Sequence, residues 1–435
     1  MSEPHDPGRH DRPTASRRLT IVIGADTFPP NVNGAARFAQ HLASGMAARG
    51  HDVHIVAPAA SRRHGTWSEE YDGQRVTAHR LLSWRWYSPS WLRFALPWRI
   101  KENSARILDE VMPDVVHFQS HIITGRGLSI EAKRRGIRVV GTNHFMPENL
   151  FDHAPIPKAL RRLSIRMAWR AAARSFARAD VVTSPTPTAA HFLEEATGLT
   201  GVLAVSCGID ISRYIASFEP RPVPRILFVG RVMSEKQLPV LLRAFAVLPR
   251  DLGARLDIVG DGDQLHELEG LARTLGVDGR VTFAGYLDEA RLHQAYTTAS
   301  VLAMPSTAEL QSIVTMEAMA SGLPVVAADA MALPHLVHDG ENGYLFPPGD
   351  VAALAARLQD VLRAPAAKMR AMQEASLRIV AAHDMERTLD TFERLYRGLA
   401  AEPAGQGTDG EVAARHDTAS IGIVGDGVPG GESTE

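Results

Sequence analysis

The sequence predicts an α/β protein built from two doubly wound, Rossmann-like domains that face each other across a cleft. Three observations lead there. Short apolar runs alternate with helical stretches along most of the chain, as in parallel strands buried on both faces. A proline-rich segment, FEPRPVP at 218–224, interrupts that alternation near the middle, and a second series then begins. At 435 residues the chain is also long enough to bury two cores.

Residues 1–17 are polar and proline-containing and read as a disordered N-terminus. The first domain is read over 18–217. Its first strand, Leu19 to Gly24, runs into ADTFPPNVNG, and a helix follows over 35–49. A glycine before a helix lets backbone approach a ligand closely, and the amides of a helix N-terminus suit an anion. Further strands are read at 52–57, 75–79, 114–117, 138–141, 180–184 and 202–205. Ligands of such sheets bind beyond the carboxyl ends of the strands. Two histidines fall there, His121 after DVVHFQS and His144 in GTNHFMPEN, each of which could equally be a hydrogen-bonded rim residue.

After the 218–224 linker, the second domain is read over 225–382, with strands at 225–230, 255–259, 281–284, 300–304 and 324–328. Its first turn carries two cations, Arg231 and Lys236, directly after a strand. The chain is organised around Ser306 to Gly322, STAELQSIVTMEAMASG. Glu309 lies in the turn ending a strand, and Glu317 about one turn inside the following helix. The amides near Gln311, Ser312 and Ile313 face out of that helix, which suits a phosphate. A carboxylate accepts two hydrogen bonds, so Glu317 suits a ribose diol and Glu309 a sugar ring. Taken alone, two such glutamates are more often solvated helix charges. A final helix at 383–400 and a disordered tail at 401–435, rich in Gly, Ala, Asp and Glu, complete the chain.

The E-x7-E spacing of Glu309 and Glu317 continues into EAMASGLPVVA and NGYLFPPGD. With GRVMSEK at 230–236 and PPNVNGAARF at 29–38, these stretches resemble the retaining family 4 glycosyltransferases. The resemblance covers residues 19 to 400 and implies the GT-B fold, with the 383–400 segment returning to the N-terminal domain. It further implies a nucleoside diphosphate hexose donor, UDP- or GDP-linked, held by the C-terminal domain, with the acceptor on the N-terminal one. The resemblance also implies that no metal or other cofactor is required. Arg231 and Lys236 would neutralise the leaving phosphate, Glu309 would hold the donor sugar and Glu317 the ribose. Gly34, Ser312 and Ile313 would border the diphosphate, and Asn33 and His144 are acceptor-binding candidates. The family often has an H-x-H pattern whose second histidine sits beside the reacting sugar. Here that position is Gln119, and His121 follows two residues later, so which histidine lies at the sugar stays open. Asp261 and Asp263 spell D-x-D where the family has a turn before a helix, and a lone carboxylate pair is a weak metal signal. With no obvious carboxylate nucleophile, front-side displacement assisted by the departing phosphate is the expected chemistry.

The formal net charge of −2 gives no global argument for nucleic acid. The single cysteine, Cys207, excludes an intrachain disulfide framework. No uncharged apolar run reaches the roughly 18 residues of a membrane span, and the N-terminus lacks a signal-like apolar core. The expected location is cytoplasmic, peripheral on the inner face of the membrane. Two segments carry the membrane expectation. Ser83 to Lys101 holds four of the six tryptophans with Arg85, Arg93, Arg99 and Lys101. Lys158 to Arg178 holds seven basic and no acidic residues, with Arg162, Arg166, Arg170, Arg174 and Arg178 at four-residue spacing. On an anionic lipid surface each such cation contributes about 1 kcal/mol. The bland alternative puts the tryptophans in the core and the arginines in water. ELQSIVTMEAMASG and NHFMPENL look closer to bacterial glycolipid synthases with diacylglycerol-type acceptors. A soluble inositol or polysaccharide acceptor, a nonhydrolysing nucleotide-sugar epimerase and a non-catalytic sugar-nucleotide binder are the alternatives.

Overall fold

The computed structural model describes residues 17–31, 33–85, 93–148 and 158–401. Trp86 and Trp91 and the two expected disordered termini lie outside the described residues, Arg17 and Ala401 excepted.

The strands are β1 (Thr20–Gly24), β2 (Asp52–Pro58), β3 (Gly65–Tyr71), β4 (Gln74–Leu81), β5 (Ser83–Arg85), β6 (Arg93–Ala95), β7 (Val115–Phe118), β8 (Arg138–Thr142), β9 (Val181–Ser184) and β10 (Leu203–Ala204), followed by β11 (Arg225–Val229), β12 (Arg255–Val259), β13 (Val281–Gly285), β14 (Val301–Met304), β15 (Val325–Ala328) and β16 (Gly343–Phe346). The first sheet runs β10-β9-β8-β7-β1-β2-β4-β3 and the second β13-β12-β11-β14-β15-β16; β5 and β6 pair as a separate ribbon.

All pairings in the two large sheets are parallel except β3 with β4. That hairpin turns on Asp72-Gly73, both at positive φ (48° and 73°), which matches the twist of the flanking strands. Strand β3 escapes a sequence reading because its alternation is half-buried at an edge rather than apolar.

In the first sheet the strand order reverses between β1 and β7, in the second between β11 and β14. Such switch points open crevices beyond the carboxyl ends of the strands. The loops after β1 and β7 carry Asn33 and His121, and those after β11 and β14 carry Arg231, Lys236 and Glu309. Topology alone therefore gathers the candidate residues into two crevices.

The second sheet and its helices share one core. One face of the first sheet is covered by helices Gly34–Ala48 and Met385–Tyr396. The latter buries Met385, Leu389, Phe392 and Tyr396, a helical stripe that docks the end of the chain on the first domain. The opposite face is covered by helices Ile100–Val111, Thr124–Arg134 and Lys158–Phe176. In the last of these Trp169 and Phe176 are buried, and Arg162, Arg166, Arg170 and Arg174 are exposed. Trp169 and Phe176 thus belong to the core side of the helix that carries the basic band.

Candidate active site

Helix Ile313–Ala320 begins at Ser312, which makes no side-chain capping bond; its hydroxyl accepts from Thr315 Oγ1 at 2.8 Å. The side chain that usually satisfies first-turn amides is thus turned elsewhere; Thr315 N donates to the Ser312 carbonyl at 3.1 Å, and the amides before it suit an anion. Ile313 packs against the cores of both domains. A Cβ on Gly34 would lie 3.6 Å from Ile313 Cδ1, so the N-termini of helices Gly34–Ala48 and Ile313–Ala320 meet across the cleft.

Glu309 is 8 % exposed and ion-paired with Lys236. Lys236 ends the short turn Ser234–Lys236 after β11. The turn is tied to the β14 loop through the Glu235 carbonyl, which accepts from Thr307 N at 3.0 Å and Ser306 Oγ at 3.3 Å. Arg231 reaches Glu235 at 3.3 Å and keeps about a third of its side chain exposed. Two cations and two buried carboxylates, Glu235 and Glu309, therefore stand at the second switch point, close to the helix N-terminus.

Glu317 is 2 % exposed, and both its oxygens are engaged. Oε1 accepts from Arg37 Nη1 at 2.6 Å, across the cleft, and Oε2 from Tyr296 OH at 2.7 Å. Burial, and then the Glu317 charge, push the Tyr296 hydroxyl well above its ordinary range, so it stays a donor. Tyr214 is raised by the same two causes. Arg37 was missed from sequence, although a signal existed. It sits in the first turn of a helix, where the macrodipole disfavours a cation unless a carboxylate compensates.

On the first domain, Asn33 caps helix Gly34–Ala48 with Oδ1, which accepts from Ala36 N at 2.9 Å and Thr27 Oγ1 at 3.3 Å. Its oxygen is committed to the fold, and its amide nitrogen carries any contact to an acceptor. His144 Nε2 is bound to Gln119 Oε1 at 2.7 Å, and its ring packs on Phe38. Gln119 thus occupies the position of a second histidine and fixes the ring of the other candidate. His121 is 5 % exposed among Phe145, Trp169 and Phe176, and its Nδ1 has no hydrogen-bond partner among the described residues. Burial lowers His121 to about 4 and His144 to about 3, so both are neutral at pH 7. Asn143 Nδ2 and Glu148 Oε2 are likewise buried without a partner among the described residues. Glu148 Oε1 accepts from Trp169, the ring that stacks on His121.

Asp26, in the β1 loop, takes bonds from Ser120 Oγ (2.6 Å), Ile123 N (3.2 Å) and Thr124 N (2.8 Å). It anchors the loop after β7 through three hydrogen bonds. Asp261 Oδ1 accepts from the next amide, Gly262 N, at 2.8 Å. A Cβ at Gly260 would meet the Gly230 carbonyl at 1.8 Å, and one at Gly262 the Val232 carbonyl at 2.2 Å. The glycines of this turn are there because two loop backbones touch.

Residues 32–213 match the family model for Glycosyltransferase Family 4, and residues 212–378 that for Glycosyl transferases group 1. The chain is 28 % identical over 364 residues to the sulfoquinovosyl transferase SQD2 of Arabidopsis thaliana, covering 80 % of this chain and 67 % of that one. Over 188 residues it is 37 % identical to the D-inositol 3-phosphate glycosyltransferase of Mycolicibacterium smegmatis, covering 41 % and 43 % of the two chains. Among solved structures, the sucrose-phosphate synthase of Thermosynechococcus elongatus superposes with a TM-score of 0.73 at 22 % identity, over 88 % of this chain and 99 % of the other. Anabaena HepE with UDP-glucose superposes at 0.69 and 18 %, over 88 % and 100 %. The two family matches meet at the junction of the two sheets, and with this fold they make the chain a GT-B glycosyltransferase of family 4.

Proposed function

We propose that the protein moves a hexose from a UDP- or GDP-linked donor to an acceptor hydroxyl with retention of configuration, without a metal, and that the acceptor is a membrane lipid. The observation that carries the donor assignment is the meeting of Lys236–Glu309, Arg231 and Glu317 around the N-terminus of helix Ile313–Ala320. The first-turn amides and the two cations receive the diphosphate, and charge developing on the departing phosphate is met by groups already in place. Glu309 takes the hexose hydroxyls; Glu317 exchanges Arg37 for the ribose diol. His121 and the unpartnered Asn143 and Glu148 atoms lie on the acceptor side. Asp26 is engaged by backbone and Ser120, which favours front-side displacement over a covalent intermediate. The UDP-glucose complex of a structural neighbour agrees with this donor class.

The lipid acceptor is supported by helix Lys158–Phe176. Beside its exposed arginines, Leu160, Leu163 and Met167 are also exposed, an apolar stripe with cationic flanks. Among the described residues no helix is long and apolar enough to cross a membrane, so contact would be peripheral. A soluble acceptor is the second reading, favoured by the relatives named for D-inositol 3-phosphate. Incubation with UDP- and GDP-hexoses, in parallel with diacylglycerol-containing vesicles and with soluble inositol acceptors, tests both. Glycolipid formation supports the first; transfer only to soluble acceptors replaces it with the second.

A further inference from the structure

Beside the outer strands of the first sheet lies a cavity of about 120 Å³ that the transfer reaction does not use. It opens at the start of β3, the end of β4 and the first two turns of helix Ile100–Val111, and its polar lining is His64, Thr66, His79, Arg80 (committed to Glu69), Arg99, Asn103 and Arg106. No carboxylate is among its lining residues. The volume is roughly that of four waters, the scale of a phosphate group. At its base His79 is 2 % exposed, held by Thr66 Oγ1 on Nδ1 (3.0 Å) and His54 Nδ1 on Nε2 (3.1 Å). Burial, and less strongly His54 and Arg106, lower His79 to about 4, so it stays neutral at pH 7. Arg99 and Arg106 meet Glu102 (3.8 Å) and Glu110 (3.2 Å) only in exposed pairs, which contribute little and yield readily to a competing anion.

Next in sequence to the lining residues His64 and Arg99, the side chains of Arg62, Arg63, Lys101 and Glu102 are exposed, and Trp98 is 76 % exposed and stacked on Trp84. Exposed tryptophan flanked by cations suits the interfacial zone of a bilayer. Helix Ile100–Val111 also packs on the same sheet face as the basic helix Lys158–Phe176.

We infer that this cavity binds a phosphate group, supplied by the headgroup of an anionic lipid while Trp98 seats in the interface. The source of the phosphate rests on the lipid-acceptor reading above; the site itself does not.

The test uses the full chain with two probes: vesicles of phosphatidylglycerol in phosphatidylcholine, read by co-sedimentation, and dissolved inorganic phosphate or glycerol 3-phosphate, read by thermal stabilisation. Removing two cations in Arg99→Ala/Arg106→Ala lowers vesicle affinity about thirtyfold and abolishes stabilisation by dissolved phosphate. Asn103→Ala, which leaves the charges in place, gives a smaller loss of the same kind and serves if the double variant does not fold. Arg162→Glu/Arg166→Glu/Arg170→Glu loses vesicle binding but keeps stabilisation by phosphate, which separates this site from the basic helix. If phosphate stabilises the wild type through Arg99 and Arg106 while vesicles do not bind, the site stands, and both the lipid source and the lipid acceptor are overturned. If the double and Asn103 variants bind both probes like wild type, or the wild type binds neither, the inference is overturned.

Discussion

Replacing Glu317 with glutamine keeps the shape of the side chain and removes its charge. The carboxylate is 2 % exposed and accepts two charge-assisted or short bonds, from Arg37 at 2.6 Å and Tyr296 at 2.7 Å. If the donor ribose takes over the Arg37 position, its hydroxyls meet the same charged acceptor. Hydrogen bonds to a charged group contribute about 1.5–3 kcal/mol, against roughly 1 for neutral pairs. The variant should therefore lose about 0.5–2 kcal/mol of donor binding, about two- to 30-fold. Titration calorimetry with the preferred nucleotide and its 2′,3′-dideoxy analogue isolates the effect. Wild type should favour the ribonucleotide, and Glu317→Gln should bind the two nearly alike. A wild type that does not discriminate, or a variant that discriminates equally well, refutes the placement of the ribose at Glu317.

Three further outcomes are expected. Lys236→Ala strips the buried Glu309 of its cation and the leaving phosphate of its neutralising charge; kcat should fall by about a hundredfold or more, and a kcat within twofold of wild type would remove Lys236 from the site. Arg162→Glu/Arg166→Glu/Arg170→Glu reverses charge on an exposed face at about 1 kcal/mol per lost cation plus repulsion. Co-sedimentation with anionic vesicles should disappear without a change in unfolding midpoint; binding like wild type would leave these arginines as a solvated face. Stability should fall as pH drops from 6.5 toward 4. His121 and His383 are lowered from 6.5 to about 4, and His117 and His144 to about 3, chiefly by burial. In that window the unfolded chain takes up protons that the folded chain refuses, so folding loses free energy as pH falls. Urea midpoints measured across the window check this, and a flat profile would show that these rings protonate freely in the folded state.

Much of the fold was legible because parallel strands buried on both faces leave continuous apolar runs such as LTIVIG, RILFVG and SVLAMP. The gathering of Arg231, Lys236 and Glu309 at one crevice was legible because they follow strands directly, in loops at a strand-order reversal. What sequence reading missed was long-range and polar. Arg37 finds Glu317 across 280 positions, and Asp26 finds Thr124 across 98, pairings that no local pattern encodes. The committed oxygen of Asn33 follows from its role as a helix cap, which sequence order does suggest. The histidines show the opposite limit. His121 and His144 are equally placed in sequence, and only packing separates a ring held by Gln119 from one with an unpartnered nitrogen. Strand β3 was hidden because a half-exposed edge strand has no apolar run to read.

The central claim is transfer with retention and without a metal, and the anomeric configuration of the product tests it most directly. The full chain is incubated with an α-linked UDP- or GDP-hexose, acceptor and excess chelator, and the new glycosidic linkage is read by proton NMR before any mutarotation. The account predicts a product with the donor's α configuration, formed at the same rate with and without chelator. A β-linked product, or transfer abolished by chelation and restored by magnesium or manganese, would contradict it.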